Sequence, residues 1–128
     1  MGAQQARRSP MAGERGRRSL ALGHVIAGSI LASVVGLQGL YLFHLAILAI
    51  LHIATSYGLL KAYGWTPWLM GLVAAMGGTF AGISIYTPIG VLGPKVETYL
   101  LITGLTAYLV FLLASLAYAI YRRREFSA

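Results

Sequence analysis

The stretch that decides the fold is residues 19–61, SLALGHVIAGSILASVVGLQGLYLFHLAILAILHIATSYGLLK, which contains no Asp, Glu, Lys or Arg before Lys61. A helix crosses a bilayer with about 20 apolar residues, so this run is about twice as long as one span requires. A single helix of that length would rise about 60 Å at about 1.5 Å per residue. The run is therefore too long for one crossing and predicts two.

The break between these two spans is expected near the middle of the run. Gly36 and Gly39 lie there on either side of Gln38, the only amide side chain in the stretch. Glycine permits turn conformations that other residues adopt poorly. We therefore predict a tight hairpin between spans at about 18–36 and 40–60.

The composition of the whole chain agrees with a membrane location. Of its 128 residues, 58% are hydrophobic and 10% are charged, with a mean hydropathy of +0.74. A soluble domain usually carries about 25% charged residues. We expect a multi-pass protein of the cell membrane with one compact membrane domain. The sequence has no Cys, which excludes disulfides and thiolate metal sites, and it also has no Asp or Asn. A scarcity of Asn and Cys is typical of thermophiles.

Two further spans follow the hairpin. Thr66 and Pro67 are suited to an N-cap and a first helical position, and tryptophans on both sides suit the headgroup boundary. The third span is predicted at about 66–86. Two prolines and two glycines in residues 87–94 predict a loop. The fourth span is predicted at about 96–121.

Basic residues flank the spans and predict the topology. Arginines precede the first span and follow the last, at Arg7, Arg8, Arg15, Arg17, Arg18, Arg122, Arg123 and Arg124. By the positive-inside rule both termini are cytoplasmic. The predicted fold is an all-α integral membrane protein with four transmembrane helices in an antiparallel bundle. Residues 1–17 are predicted as a disordered basic arm, 18–121 as the membrane domain and 122–128 as a basic cytoplasmic tail.

The net charge of +7 also bears on partners. The flanking arginines favour anionic lipid headgroups. Nucleic acid is not expected, because no basic stripe is interleaved with stacking aromatics. An alternative processing is open: residues 7–36 also have the layout of a secretory signal, and cleavage would leave three spans.

Small residues repeat every four positions on two of the spans. The sets are Gly28, Ala32 and Gly36 in the first span and Ala74, Gly78 and Gly82 in the third. Residues four apart lie on one helix face, and small residues let membrane helices approach closely. These stripes predict packing within the bundle, or contact with a second copy or a larger subunit.

The three histidines are the unusual residues of the first hairpin. His24 lies 14 residues before Gln38 and His52 lies 14 residues after it, which predicts similar depths in an antiparallel hairpin. Two such imidazoles could ligate haem b, bind a single metal ion or relay a proton, or form a structural hydrogen bond. His44 has no matched partner at its depth.

Glu97 is the only acidic residue between the two termini. It stands in the first turn of the fourth span, beside Lys95 on the predicted outer side. The helix dipole favours a carboxylate there. The alternative is a cation or substrate contact at the outer mouth of the bundle.

The sequence lacks the common catalytic motifs. GxxxxGK[ST], HExxH and GxSxG are all missing. We predict a non-enzymatic membrane protein that self-associates or serves as an accessory subunit of a membrane complex. The alternatives are a haem b-binding or quinone-associated anchor of an electron-transfer complex, and a small channel or transporter.

Overall fold

The computed structural model describes residues 10–39 and 42–126, and the regular structure in these ranges is helical. Its long helices are α1 (Pro10–Gln38), α2 (Phe43–Lys61), α3 (Thr66–Leu92) and α4 (Val96–Tyr121), and a 3-10 turn spans Arg123–Glu125. Four helices are long and apolar enough to cross a membrane. The chain is therefore all-helical, with the four candidate spans expected of a multi-pass membrane protein.

The chain divides into two compact units. The first comprises Met1–Thr66 together with Arg124–Ala128, and so contains the α1–α2 hairpin and the end of the chain. The second comprises Pro67–Arg123, which holds nearly all of α3 and α4.

Helix α1 begins earlier than the sequence predicts. Residues 10–17 belong to the arm expected to be disordered, yet they are helical; residues 1–9 lie outside the described residues. Pro10 occupies the first helical position, which suits its fixed φ and missing N–H. Glu14 and Arg18 then form an i,i+4 ion pair on the surface of this first segment, a contact that supports helix.

Helix α1 ends just before the second of the two central glycines. Gly36 remains inside α1, whereas Gly39 has a positive φ of 100° and donates its N–H to the Val35 carbonyl at 2.8 Å. Such a left-handed residue after a helix end is a position where glycine is favoured. Leu40 and Tyr41 lie outside the described residues, and α2 begins at Phe43.

Helix α3 extends through most of the predicted 87–94 loop, so this part of the prediction is wrong. Pro88 lies inside the helix, and Thr87 donates its hydroxyl to the Ile83 carbonyl at 2.9 Å. Proline removes one intrahelical donor, but membrane helices tolerate it because lipid leaves the backbone no better alternative than helix. The non-helical link is short and contains Gly93 with a φ of 71°.

The bounds of α4 agree with the predicted fourth span. Lys95 is the extended N-cap residue of α4. After Tyr121, Arg122 lies over the Tyr118 ring at 6.0 Å from its centroid. Phe126 is buried, with 7% of its surface exposed. The end of the chain is therefore anchored by an apolar side chain as well as being basic.

Candidate functional site

His24 and His52 are in direct contact between α1 and α2. Their Nδ1 atoms are 2.8 Å apart and their ring centroids 5.0 Å apart, with the rings tilted by 39°. Only 1% of His24 and none of His52 is exposed. The equal spacing of the two residues about Gln38 predicts that they lie at the same depth, and the structure brings them together there.

Gly28 allows the helices to approach closely enough for this contact. It lies one turn after His24, and a Cβ on it would stand 3.0 Å from Ile53 Cδ1, 3.1 Å from the Ala49 carbonyl oxygen and 3.2 Å from His52 Cβ. The carbonyl oxygen belongs to the backbone and cannot rotate away. Even a methyl group at this position would be tighter than an ordinary contact and would require the neighbouring atoms to move by a few tenths of an ångström.

The surroundings of the pair on α2 are small or apolar. Leu48 and Ala49 lie one turn before His52 and are buried, as are Thr55 and Ser56 one turn after it. The Thr55 hydroxyl donates to the Leu51 carbonyl at 2.7 Å, within its own helix. The two imidazoles are the titratable groups of this seam.

The short distance between the Nδ1 atoms constrains the protonation of the rings. A neutral imidazole has one N–H donor and one bare acceptor nitrogen. In an N–H···N hydrogen bond, one Nδ1 must carry the proton and the other must accept it. The neutral pair therefore combines two tautomers: the donor ring is protonated on Nδ1 and the acceptor ring on Nε2.

Haem b on His24 and His52 stays a prediction. Imidazole nitrogens ligate metal ions at about 2 Å, so an ion between two of them needs a separation of about 4 Å. The Nδ1 atoms stand 2.8 Å apart, so an ion does not fit between these two nitrogens in this arrangement. Within the described residues no group of three or more His, Cys, Asp or Glu is placed to hold a metal ion. A visible absorption spectrum of the purified protein, oxidised and then dithionite-reduced, tests the haem prediction.

The small-residue stripe of α1 coincides with the buried face only at its start. Gly28 is buried against α2, but Ala32 and Gly36 are exposed and Val35 is buried instead. A Cβ added to Gly36 would meet no described atom of its unit within 4 Å. Packing at Ala32 and Gly36 therefore stays a prediction, and it requires a partner beyond α2.

In α3 the closest contact falls at Gly77, which the stripe prediction missed. A Cβ there would lie 2.6 Å from the Tyr108 hydroxyl and 2.8 Å from Leu112 Cδ1. The buried face of α3 is instead indicated by the spacing, three or four positions apart, of four buried residues: Met70, Val73, Gly77 and Ala81. The prediction chose the neighbouring Gly78 instead, because Gly78 and Gly82 form a GxxxG pattern.

The predicted residues of that stripe lie beside the buried face of α3. Ala74 and Gly78 are half-buried, and a Cβ on Gly78 would reach Leu109 Cδ1 at 3.8 Å, an ordinary contact distance. Gly82 is exposed, with no described atom of its unit within 4 Å of a Cβ. Their role as packing residues stays a prediction.

The remaining predicted polar residues are exposed. Lys95 and Glu97 lie at the start of α4, and His44 lies near the start of α2 with its ring edge-on to Phe43 at 6.1 Å. The structure does not place His44 with the buried pair. A channel or transporter function resting on Glu97 stays a prediction, which flux through reconstituted vesicles and the Glu97→Gln variant would test.

A second close contact, which was not predicted from the sequence, lies where α2 ends. Tyr63 stacks on Trp65 with centroids 5.6 Å apart. A Cβ on Gly58 would stand 2.8 Å and 2.9 Å from Trp65 ring atoms and would also clash with Thr66 Oγ1. Hydrogen bonding to Tyr57 is the main cause that raises the pKa of Tyr63. These contacts make the loop a compact aromatic cap on α2.

Comparisons with known proteins do not add to this geometry: no protein family, curated protein or solved structure matches the chain. The function must therefore be inferred from the residues themselves. The two structural features that bear on it are the buried histidine pair and the glycines that lie on the exposed faces of the spans.

Proposed function

We propose that this chain is a non-enzymatic, multi-pass protein of the cell membrane that associates with itself, or with a larger membrane complex as an accessory subunit. Its four spans form an antiparallel bundle in this proposal, with both termini in the cytoplasm. The pair between Arg17 Nη1 and Glu125 Oε2, 3.5 Å apart, supports this topology because it joins the first turns of α1 to the end of the chain.

The observation that carries the proposal is a set of glycines on exposed helix faces. Gly36, Gly82 and Gly104 are exposed, and a Cβ on any of them would meet no described atom of its own unit within 4 Å. In water, a glycine inside a helix costs about 1 kcal/mol relative to alanine. Close approach within the unit does not explain these glycines. Contact with a helix of another chain does, because small residues let membrane helices pack backbone to backbone.

The hydroxyl groups of the spans support packing over transport or catalysis. Several donate to the carbonyl four residues earlier in the same helix, namely those of Ser33, Thr55, Thr79, Thr87, Thr103 and Thr106. A hydroxyl bonded in this way is satisfied locally and makes little demand on water or substrate. Such a surface is compatible with lipid and with another apolar helix.

The test is the oligomeric state of the full chain in lipid nanodiscs and in detergent matched for density. We expect a dimer or larger species that Gly36→Leu and Gly82→Leu weaken by about tenfold or more, equivalent to about 1.4 kcal/mol. The added side chains occupy open space in the folded unit, so they should leave its stability unchanged. Circular dichroism and thermal unfolding check this.

Matched controls are Ile30→Leu and Ile83→Leu. Both isoleucines are exposed, by 58% and 64%, and the substitution conserves volume on the same two helices. They should leave association unchanged. Wild-type chains that stay monomeric at every concentration, without a co-purifying subunit, would rule out the proposed function.

A further inference from the structure

The contact between His24 and His52 has a chemical consequence that helix packing does not use. We infer that the two imidazoles form an intramembrane binding site for a single proton, held as a hydrogen-bonded imidazole–imidazolium pair. This site is independent of the proposed self-association. It rests on the geometry of one hairpin and needs no second chain.

The site is built by the fold of the hairpin. Both side chains are at least 99% buried, and their Nδ1 atoms point at each other across 2.8 Å. Gly28 holds the helices at the separation that this distance requires, with the backbone oxygen of Ala49 3.1 Å from its Cβ position. The close approach of the two helices therefore keeps the two rings within hydrogen-bonding reach of each other.

The first proton can be accepted without breaking the contact. In the neutral pair, the donor ring carries its hydrogen on Nδ1 and keeps a lone pair on Nε2. An added proton forms a new N–H bond at that Nε2, and no existing bond breaks. The ring becomes an imidazolium whose Nδ1–H still donates to the neutral partner. Because the donor is now charged, this hydrogen bond is stronger than before.

A second proton cannot be accepted in the same geometry. The only remaining lone pair is the Nδ1 of the acceptor ring, which already accepts the hydrogen bond. Protonation there directs two N–H groups at each other across 2.8 Å and places two positive charges side by side in a buried seam. Since like charges at this distance repel strongly, the pair holds one proton until the contact opens.

Charged side chains are scarce near the pair. Residues 19–60 contain no Asp, Glu, Lys or Arg. The nearest ion pair of the unit on this face of α1 joins Arg17 and Glu125, two turns before His24. Tyr57 on α2 lies against Tyr63, with ring centroids 5.8 Å apart. Within the hairpin, the partner imidazole accepts a hydrogen bond from the imidazolium across 2.8 Å.

The test is nuclear magnetic resonance of the full chain labelled with 15N-histidine, in lipid nanodiscs, over a pH series. The probe is the proton itself. We expect a 15N–15N coupling across the Nδ1–H···Nδ1 hydrogen bond, and 15N shifts that report complementary tautomers. On acidification the pair should take up one proton while the coupling persists, and the coupling should disappear only when the second proton binds.

His44 provides the internal reference, because it is exposed on the same helix as His52. The His44→Gln variant should retain the coupling and the one-proton step, whereas His24→Gln and His52→Gln should lose both. The wild-type spectrum decides the matter even where a variant fails to fold. The inference is overturned by a missing coupling, by two histidines that titrate independently of each other, or by a pair that binds no proton before the protein unfolds.

Discussion

Helices α1 and α2 approach each other at one glycine, and α3 and α4 at another, but the neighbours of the two glycines differ. Gly28 faces the backbone oxygen of Ala49, at 3.1 Å from its Cβ position. Gly77 faces the ends of two side chains, the hydroxyl of Tyr108 and a methyl group of Leu112. A side chain can change rotamer, whereas a helical carbonyl cannot. The first contact is therefore rigid, and the second can adapt.

The two units also differ in how much apolar surface they leave for lipid or partners. In the most apolar part of α2, 44% of the residues are buried, against 11% in the corresponding part of α4. The first unit additionally contains the buried histidine pair. The comparison indicates that internal contacts specify the α1–α2 hairpin, whereas α4 leaves more of its apolar surface exposed within its own unit.

Gly28→Leu is expected to have the largest effect on this comparison. Leucine cannot fit against Ala49 and His52, so the hairpin must open and the histidine contact is lost. Overpacking of this kind should lower the free energy of unfolding by about 3 kcal/mol. Unfolding in mixed micelles, at a high ratio of micelle to protein, measures the change.

The control for this prediction is Gly36→Leu on the same helix. No described atom of the unit lies within 4 Å of its Cβ position, so the change in stability should stay below about 0.5 kcal/mol. Equal losses at the two positions would show that Gly28 has no special place in the hairpin.

His52→Leu tests whether the buried hydrogen bond distinguishes the first unit. The substitution leaves His24 buried without this bond, which should cost about 1–3 kcal/mol of stability. The double variant His24→Leu/His52→Leu removes both polar groups and should cost less than the sum of the single variants. A double-mutant cycle measures this coupling, with His44→Leu as the exposed control. Additive single effects would contradict a direct interaction.

Alanine substitutions at Gly28 and Gly77 test whether the contact at Gly28 is rigid and the contact at Gly77 is adaptable. Gly28→Ala should destabilise the protein by about 1 kcal/mol or more, since a backbone oxygen blocks the new methyl group. Gly77→Ala should change stability less, because Tyr108 and Leu112 can move and alanine gains up to about 1 kcal/mol in helix propensity. The difference between the two unfolding free energies is the readout. A larger loss at Gly77 would reverse the comparison.

Glu125→Gln should have the smallest effect. It removes the ion pair with Arg17. The side chain of Arg17 is 21% exposed and that of Glu125 is 25% exposed. Pairs near the surface contribute about 0.5 kcal/mol and are screened by salt. Unfolding at low and high ionic strength measures the change, and Glu14→Gln provides the more exposed control. A loss above about 2 kcal/mol would mean that the pair is essential for anchoring the chain end.

The helix boundaries show where local sequence is sufficient and where it is not. Four apolar segments of bilayer length can be counted directly, and the bounds of α4 follow from its flanking basic residues. The start of α1 and the end of α3 could not be predicted in the same way. The start of α1 lies in a charged segment in which an i,i+4 ion pair supports the helix. Helix α3 continues past Pro88 because lipid offers the backbone no alternative to helix.

The sequence by itself predicted a lipid environment, an all-helical fold and the number of candidate spans, because these depend on the length of the hydrophobic segments. It also predicted that His24 and His52 lie at the same depth, because this depends on their distance along the chain from the hairpin. Only the tertiary structure decided which small residues meet a neighbour. Positions three and four apart both lie on one side of a helix, so the choice between Gly77 and Gly78, or between Ala32 and Val35, depends on the side chains of the opposing helix. The same contact at Gly28 brought two histidines at equal depth to within hydrogen-bonding distance.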